Sequence, residues 1–105
     1  MSTEWQKQDD VGVIDRIDIR QGKPKMYSVV LHNDDFTPMD FVTTLLSEVF
    51  NKNEQQATQL MLKVHNEGKA VAGTYTRDVA ETKQNQSTER AQREEHPLRV
   101  TVEPA

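Results

Sequence analysis

The chain has 105 residues, no cysteine and a formal net charge of −4 at pH 7. That length supports one domain with an appendage, and the lack of cysteine excludes a disulfide framework and a thiolate metal site while fitting a reducing compartment. Residues 1–25 carry five acids and five bases, so the whole excess of −4 falls on residues 26–105; such an acidic body argues against nucleic acid, which needs a Lys/Arg excess on one face.

Residues 1–25 read as a flexible N-terminal extension, interrupted by Asp9-Asp10 and Gly12 and separated from the body by Gly22-Lys23-Pro24. Five aliphatics (Val11, Val13, Ile14, Ile17 and Ile19) cluster inside it without a clean period. The segment is either a disordered leader or one that orders on a partner. From Met26 to His32 the alternation of Tyr27, Val29 and Leu31 predicts a strand. Three small polar acceptors, Asn33, Asp34 and Asp35, follow at once. Thr37 then suits a helix N-cap, with Pro38 at the first helical position and Asp40 three residues after the cap.

The first helix is expected from about Pro38 to Phe50, because Phe41/Val42, Leu45/Leu46 and Val49/Phe50 recur every four residues as one apolar stripe. Asn53 caps a second helix with Gln56 at the capping-box position, a stripe of Ala57, Leu60, Met61, Val64 and His65, and Gly68 as its stop. Lys69 to Tyr75 forms a short strand whose Gly73 implies a close approach. Thr76 caps a third helix with Asp78 in its first turn; from Lys83 to His96 its only apolar residue is Ala91, so it is expected to be solvent-facing or weakly held. Pro97 ends it, and Leu98, Val100 and Val102 alternate with polar residues in a last strand. The fold class is therefore α+β, a small single domain over residues 26–105 in the order β-α-α-β-α-β, with helices packed on one side of a three-stranded, mainly antiparallel sheet. No apolar run approaches the roughly 20 residues of a membrane span, and no apolar segment follows a basic start, so the expectation is a soluble, cytoplasmic protein with no membrane contact.

Two readings of Asn33, Asp34 and Asp35 compete: turn chemistry, in which Asn and Asp are common, or a receptor for positive charge. His65 falls four residues after Met61 on the same face of the second helix, and an imidazole there is more often a core residue than a functional one. If the two helices pack side by side, His65 approaches the acceptor loop, and Met39, Val42 and Met61 become the walls of a pocket with acceptors at its rim. Such a pocket suits a primary ammonium, which presents three donors and one charge. A free protein N-terminus, charged near pH 7 and carrying a side chain beside it, has that chemistry. A divalent metal on Asp34, Asp35 and His65 is the competing reading, without a recognisable ligand spacing. Nucleophilic and phosphate-binding motifs are absent: no G-x-S-x-G surrounds Ser28, Ser47 or Ser87, and there is no Gly-rich phosphate loop.

The run Asn33-Asp34-Asp35-Phe36-Thr37-Pro38-Met39-Asp40-Phe41-Val42 resembles the signature of the ClpS family of protease adaptors. So do Ala57-Thr58-Gln59-Leu60-Met61-Leu62-Lys63-Val64-His65 followed by Gly68-Lys69-Ala70, then Val79-Ala80-Glu81-Thr82-Lys83, and the ending Glu95-His96-Pro97-Leu98. Together the blocks cover nearly all of residues 26–103 in the family's order; the tail matches nothing specific. The resemblance implies a monomeric adaptor, not an enzyme, with no cofactor. It would bind N-degron substrates, whose first residue is Leu, Phe, Tyr or Trp, and hand them to the unfoldase ClpA of the ClpAP protease. Carried over, it makes Asn33, Asp34 and His65 the α-amino ligands with Asp35 beside them, and places Thr37, Met39, Val42, Leu45, Met61, Val64 and Leu98 around the side chain. Asp78, Glu81 and Lys83 would dock on the N-terminal domain of ClpA, and the tail would engage the unfoldase during hand-over. From its position at the pocket mouth, Met39 is expected to screen out β-branched Ile and Val. The alternative is a generic protein-interaction domain whose acidic loop is structural.

Overall fold

The computed structural model describes residues 24–105, so the readings made on the extension lie outside the described residues apart from Pro24 and Lys25, which are exposed and carry no secondary structure. Six elements follow in the expected order: β1 (Met26–His32), α1 (Met39–Glu48), α2 (Glu54–Glu67), β2 (Lys69–Thr76), α3 (Arg77–Arg93) and β3 (Arg99–Pro104). β1 is the central strand, with β2 and β3 antiparallel on either side. The β1–β2 register slips between Val29 and Val30, which face Gly73 and Val71, so Ala72 is the extra residue of a bulge.

Alternation along β1 sends Val29 and Leu31 into one core cluster with Phe41, Val42, Leu45 and Leu46 of α1, Ala57 and Val64 of α2, and Ala80 and Ala91 of α3. All three helices therefore cover the same face of the sheet. Val30 points the other way and, although buried, is not part of that cluster. Gly73 has its close approach: the Tyr75 ring occupies the space a Cβ would need.

The ends of α2 follow the sequence closely. Gln56 N–H donates to Asn53 Oδ1 at 2.8 Å, and Asn53 N–H donates to Gln56 Oε1 at 3.2 Å. Gly68 closes the helix in the left-handed region at φ 92°. α1 departs from expectation. Its N-cap is Pro38, extended at ψ 146° with no side-chain cap bond, and its regular part ends at Glu48 rather than Phe50. The helix starts one residue later than expected, so Thr37 lies before the cap, and its hydroxyl donates to Asp34 Oδ2 at 2.7 Å. Thr76 does occupy the N-cap of α3, though without a side-chain bond.

Of the two alternatives for α3 the solvent-facing one holds, since most of its residues are exposed. The helix runs unbroken to Arg93 on a seam of small buried residues, Ala80, Ser87 and Ala91, and polar tethers replace the missing apolar stripe. Lys83 Nζ donates to the Val49 carbonyl at 2.6 Å, Gln84 Nε2 donates to the Val100 carbonyl at 2.9 Å, and Arg90 pairs with Glu48.

Candidate functional site

The acceptor loop leaves β1 at His32 and is fastened at once to the far end of α2. Asn33 N–H donates to the Gly68 carbonyl at 2.8 Å. Because Gly68 ends the helix that carries His65, this one bond sets the loop and the last turn of α2 side by side. The first turn of α1 closes the third side. Between them lies a cleft of about 250 Å³ lined by Asn33, Asp34, Asp35, Thr37, Met39, Val42, Met61, Val64 and His65. Met61, Val64 and His65 share one face of α2 through three- and four-residue spacing; Met39 and Val42 do the same on α1.

Depth separates these residues by chemistry. Val42 and Val64 are buried at the floor and Met61 is half-buried, whereas Met39 is 44% exposed at the mouth. Asn33, Asp35 and His65 are exposed, and Asp34 and Thr37 are half-buried. The cleft is apolar below and rich in acceptors above. Its volume is under the roughly 300–1,000 Å³ usual for drug-sized ligands, which suits a single amino-acid side chain.

Asp34 is the most constrained group at the rim. Its Oδ1 accepts the N–H of Phe36 at 2.8 Å and of Thr37 at 2.7 Å, and its Oδ2 accepts the Thr37 hydroxyl at 2.7 Å. Burial alone would raise this carboxyl. The Thr37 hydroxyl and the two backbone N–H groups, with the His96 imidazole nearby, outweigh burial and hold it below the ordinary aspartate value. The carboxylate is thus ionised at neutral pH. His96 itself stacks edge-on against Phe41 of α1, with ring centroids 4.7 Å apart.

Leu45 and Leu98 are not among the residues lining the cleft; at 1% and 7% exposure they are buried in the same core cluster as the floor residues Val42 and Val64. Asp78, Glu81 and Lys83 lie on α3, away from the cleft lining. Asp78 and Glu81 are exposed, and Glu81 pairs with Arg77 at 3.5 Å. Lys83 is half-buried; its Nζ donates to the Val49 carbonyl at 2.6 Å and lies 5.8 Å from the centre of the Tyr75 ring. The reading of residues one by one left two features unseen: the Thr37 hydroxyl as a partner of Asp34, and the Gly68 carbonyl as the tie for Asn33. The first was legible as an Asp-x-x-Thr spacing, one that side chains bridge in turns; the second had no local signal. Among the described residues no group of three or more His, Cys, Asp or Glu side chains is placed to hold a metal ion, and no helix is long and apolar enough to cross a membrane.

Comparison with known proteins fits this geometry. Residues 22–101 match the family model described as ATP-dependent Clp protease adaptor protein ClpS. An ATP-dependent Clp protease adapter protein ClpS from Deinococcus radiodurans is 58% identical over 82 residues, covering 78% of this chain and 73% of that protein. The protein of the same name from Paraburkholderia xenovorans is 50% identical over 99 residues, 94% of each. Among solved structures, Agrobacterium tumefaciens ClpS2 bound to L-phenylalaninamide superposes with a TM-score of 0.76 at 41% identity, covering 79% of this chain and all of that one. The chain belongs to the ClpS family of ATP-dependent Clp protease adaptor proteins.

Proposed function

We propose that this chain is an N-degron adaptor: it binds the free N-terminus of proteins that begin with Leu, Phe, Tyr or Trp and delivers them to the ClpA unfoldase of the ClpAP protease. The observation that carries the reading is the union in one small cleft of acceptors at the rim (Asn33, Asp34, Asp35, His65) with an apolar wall below (Met39, Val42, Met61, Val64). An α-ammonium offers three donors and a charge, and an ionised carboxylate, an amide oxygen and a neutral imidazole nitrogen are its natural partners. The first side chain then fills the wall, where burying a Leu or Phe contributes roughly 1.5–3 kcal/mol. The ligand of the Agrobacterium relative joins the same two parts, an α-amine and a benzyl group.

In this reading Asn33, Asp34 and His65 take the ammonium, Asp35 adds negative field, and Met39 at the mouth excludes side chains branched at Cβ. Adaptor and unfoldase meet on the first turns of α3 at Asp78, Glu81 and Lys83, of which Lys83 also ties the helix to the Val49 carbonyl. The adaptor makes and breaks no bond; the protease does that.

The test is a fluorescence titration with a Phe-first peptide, its N-acetylated twin and a Gly-first control. Acetylation removes the charge and most of the donors, so the twin binds at least about tenfold more weakly, the loss of one charge-assisted hydrogen bond or more. Equal binding of the free and acetylated peptides, or binding of none, overturns the reading and leaves a generic docking domain.

A further inference from the structure

The face of the sheet turned away from the helices carries a basic row on a chain whose net charge is −4. Directly paired residues of antiparallel strands send their side chains to the same side. His32 pairs with Lys69 on β2 and with Arg99 on β3, so three basic residues lie in line across the sheet. Lys69 and Arg99 are exposed, and among the described residues no carboxylate forms an ion pair with either. One step back along the same face of β1, Val30 sits between Val71 and Thr101. Val30 is only 3% exposed although all three helices cover the other side, while Val71 and Met26 are 45% and 41% exposed. The outer face is thus basic at the His32 end and apolar toward Met26.

We propose that this outer face is a docking surface for the chain's own residues 11–19, which lie outside the described residues: Asp15 meets the Lys69–His32–Arg99 row, and Ile17 and Ile19 cover Val30, Val71 and Met26. The chemistry of the two partners matches. In an extended segment alternate side chains share a face, so Val11, Val13, Asp15, Ile17 and Ile19 fall together, one carboxylate among four aliphatics. The reach matches too. β1 covers about 20 Å from Met26 to His32, and the stretch from Asp15 to Met26 can span up to about 36 Å. That leaves slack for a reversal at Gly22-Lys23-Pro24. A reversal centred on Lys23 brings Ile19 level with the start of β1, Ile17 beside Val30 and Asp15 beside His32. Charge then meets charge and aliphatic meets aliphatic in a single register. A partner that takes hold of this segment must first displace it from the face. None of this depends on the adaptor reading.

The test uses the full chain with neither peptide nor unfoldase. Because the chain has no cysteine, Gly12→Cys carries a single nitroxide label. The label is expected to broaden the amide signals of His32, Lys69 and Arg99 more than those of Met26 and Thr76. A segment that does not dock gives the reverse order, since Met26 is nearer the label along the chain, and that result overturns the proposal. Broadening found only when labelled chain is mixed with nitrogen-15 chain moves the contact to a second copy and also overturns it. The second measurement is the proton NMR titration of His32. The groups that face this ring are Lys69 on β2 and Arg99, the Thr101 hydroxyl and Glu103 on β3. A docked Asp15 adds a carboxylate that favours the imidazolium. Asp15→Asn is therefore expected to lower the His32 midpoint by about 0.2–0.7 pH unit, the size of an exposed ion pair. Asp18→Asn, on the alternate face of the segment, is expected to leave it in place. An unmoved midpoint in Asp15→Asn overturns the proposal. So does an equal fall in both variants, which would reflect net charge and not a contact.

Discussion

α1 and α2 meet the sheet through interlocking apolar stripes, Phe41, Val42, Leu45 and Leu46 against Ala57 and Val64, whereas α3 meets it through Ala80, Ser87 and Ala91 and three side-chain tethers. The stripe gives the first pair strength that does not depend on any single polar bond, so the mouth between α1 and α2 can leave Asn33, Asp35 and His65 facing solvent. α3 combines close packing of small residues with those tethers. Its exposed face is rich in charge because its buried face is small and its polar groups reach sideways to Val49, Val100 and Glu48. One half of the molecule suits a cleft for cargo; the other suits an exposed polar surface for a partner.

The sharpest way to break this comparison is at Leu45, the position that the stripe carries into the core. Leu45→Ala should cost about 2–5 kcal/mol in chemical denaturation, the range for a buried Leu truncation, while leaving peptide affinity of the folded fraction nearly unchanged. A strong affinity loss without destabilisation would return Leu45 to the pocket wall. Lys83→Met comes next. It keeps the aliphatic stem and removes the bond to the Val49 carbonyl, so it should cost about 1.5–3 kcal/mol. An unchanged denaturation midpoint would mean that α3 does not depend on its tethers. Met39→Ala is a smaller change at an exposed site: stability should shift by under about 1 kcal/mol, while Ile-first and Val-first peptides gain about tenfold, near the low end of what one pocket contact discriminates. Unaltered discrimination would remove Met39 as the gate.

The smallest effect concerns the sheet face opposite the helices. There His32 Nε2 lies 2.8 Å from the Thr101 hydroxyl, which donates to Glu103 at 3.0 Å. Burial, then the Arg99 and Lys69 charges, lower the His32 pKa, and Glu103 opposes them in part. The unfolded chain therefore takes up this proton first. The stability from neutral His32 is complete above about pH 6.5, the unperturbed value, and is lost as pH falls from there through the lower folded value. Arg99→Gln should raise the His32 midpoint in a proton NMR titration and shrink that loss; an unmoved midpoint would contradict it. Asp34 behaves in the opposite sense at lower pH. Its folded carboxyl lies below the ordinary value, so its contribution is complete above about pH 4 and fades as pH drops through the folded midpoint.

Apolar periodicity and cap chemistry were enough to read β1, α1, α2, the Asn53–Gln56 box and the Gly68 stop, because each is decided by neighbours in sequence. The cleft was legible to the same degree: Met39 and Val42 on one helix and Met61, Val64 and His65 on the next are matters of spacing. What escaped were contacts across the chain. No local pattern says that Lys83 reaches Val49, that Gly68 receives Asn33, or that Leu98 packs in the core cluster. Thr37 was misread for a different reason. α1 starts at Met39 behind Pro38 as its N-cap, so Thr37 falls one residue before the cap, where its hydroxyl donates to the Asp34 carboxylate.

The most direct test is a crystal structure of this chain with a Phe-first peptide. The account predicts the α-ammonium within about 2.7–3.2 Å of acceptors on Asn33, Asp34 and His65, with the phenyl ring between Met39, Val42, Met61 and Val64. A peptide whose first residue lies outside the cleft, or whose ammonium touches none of those three groups, would contradict it.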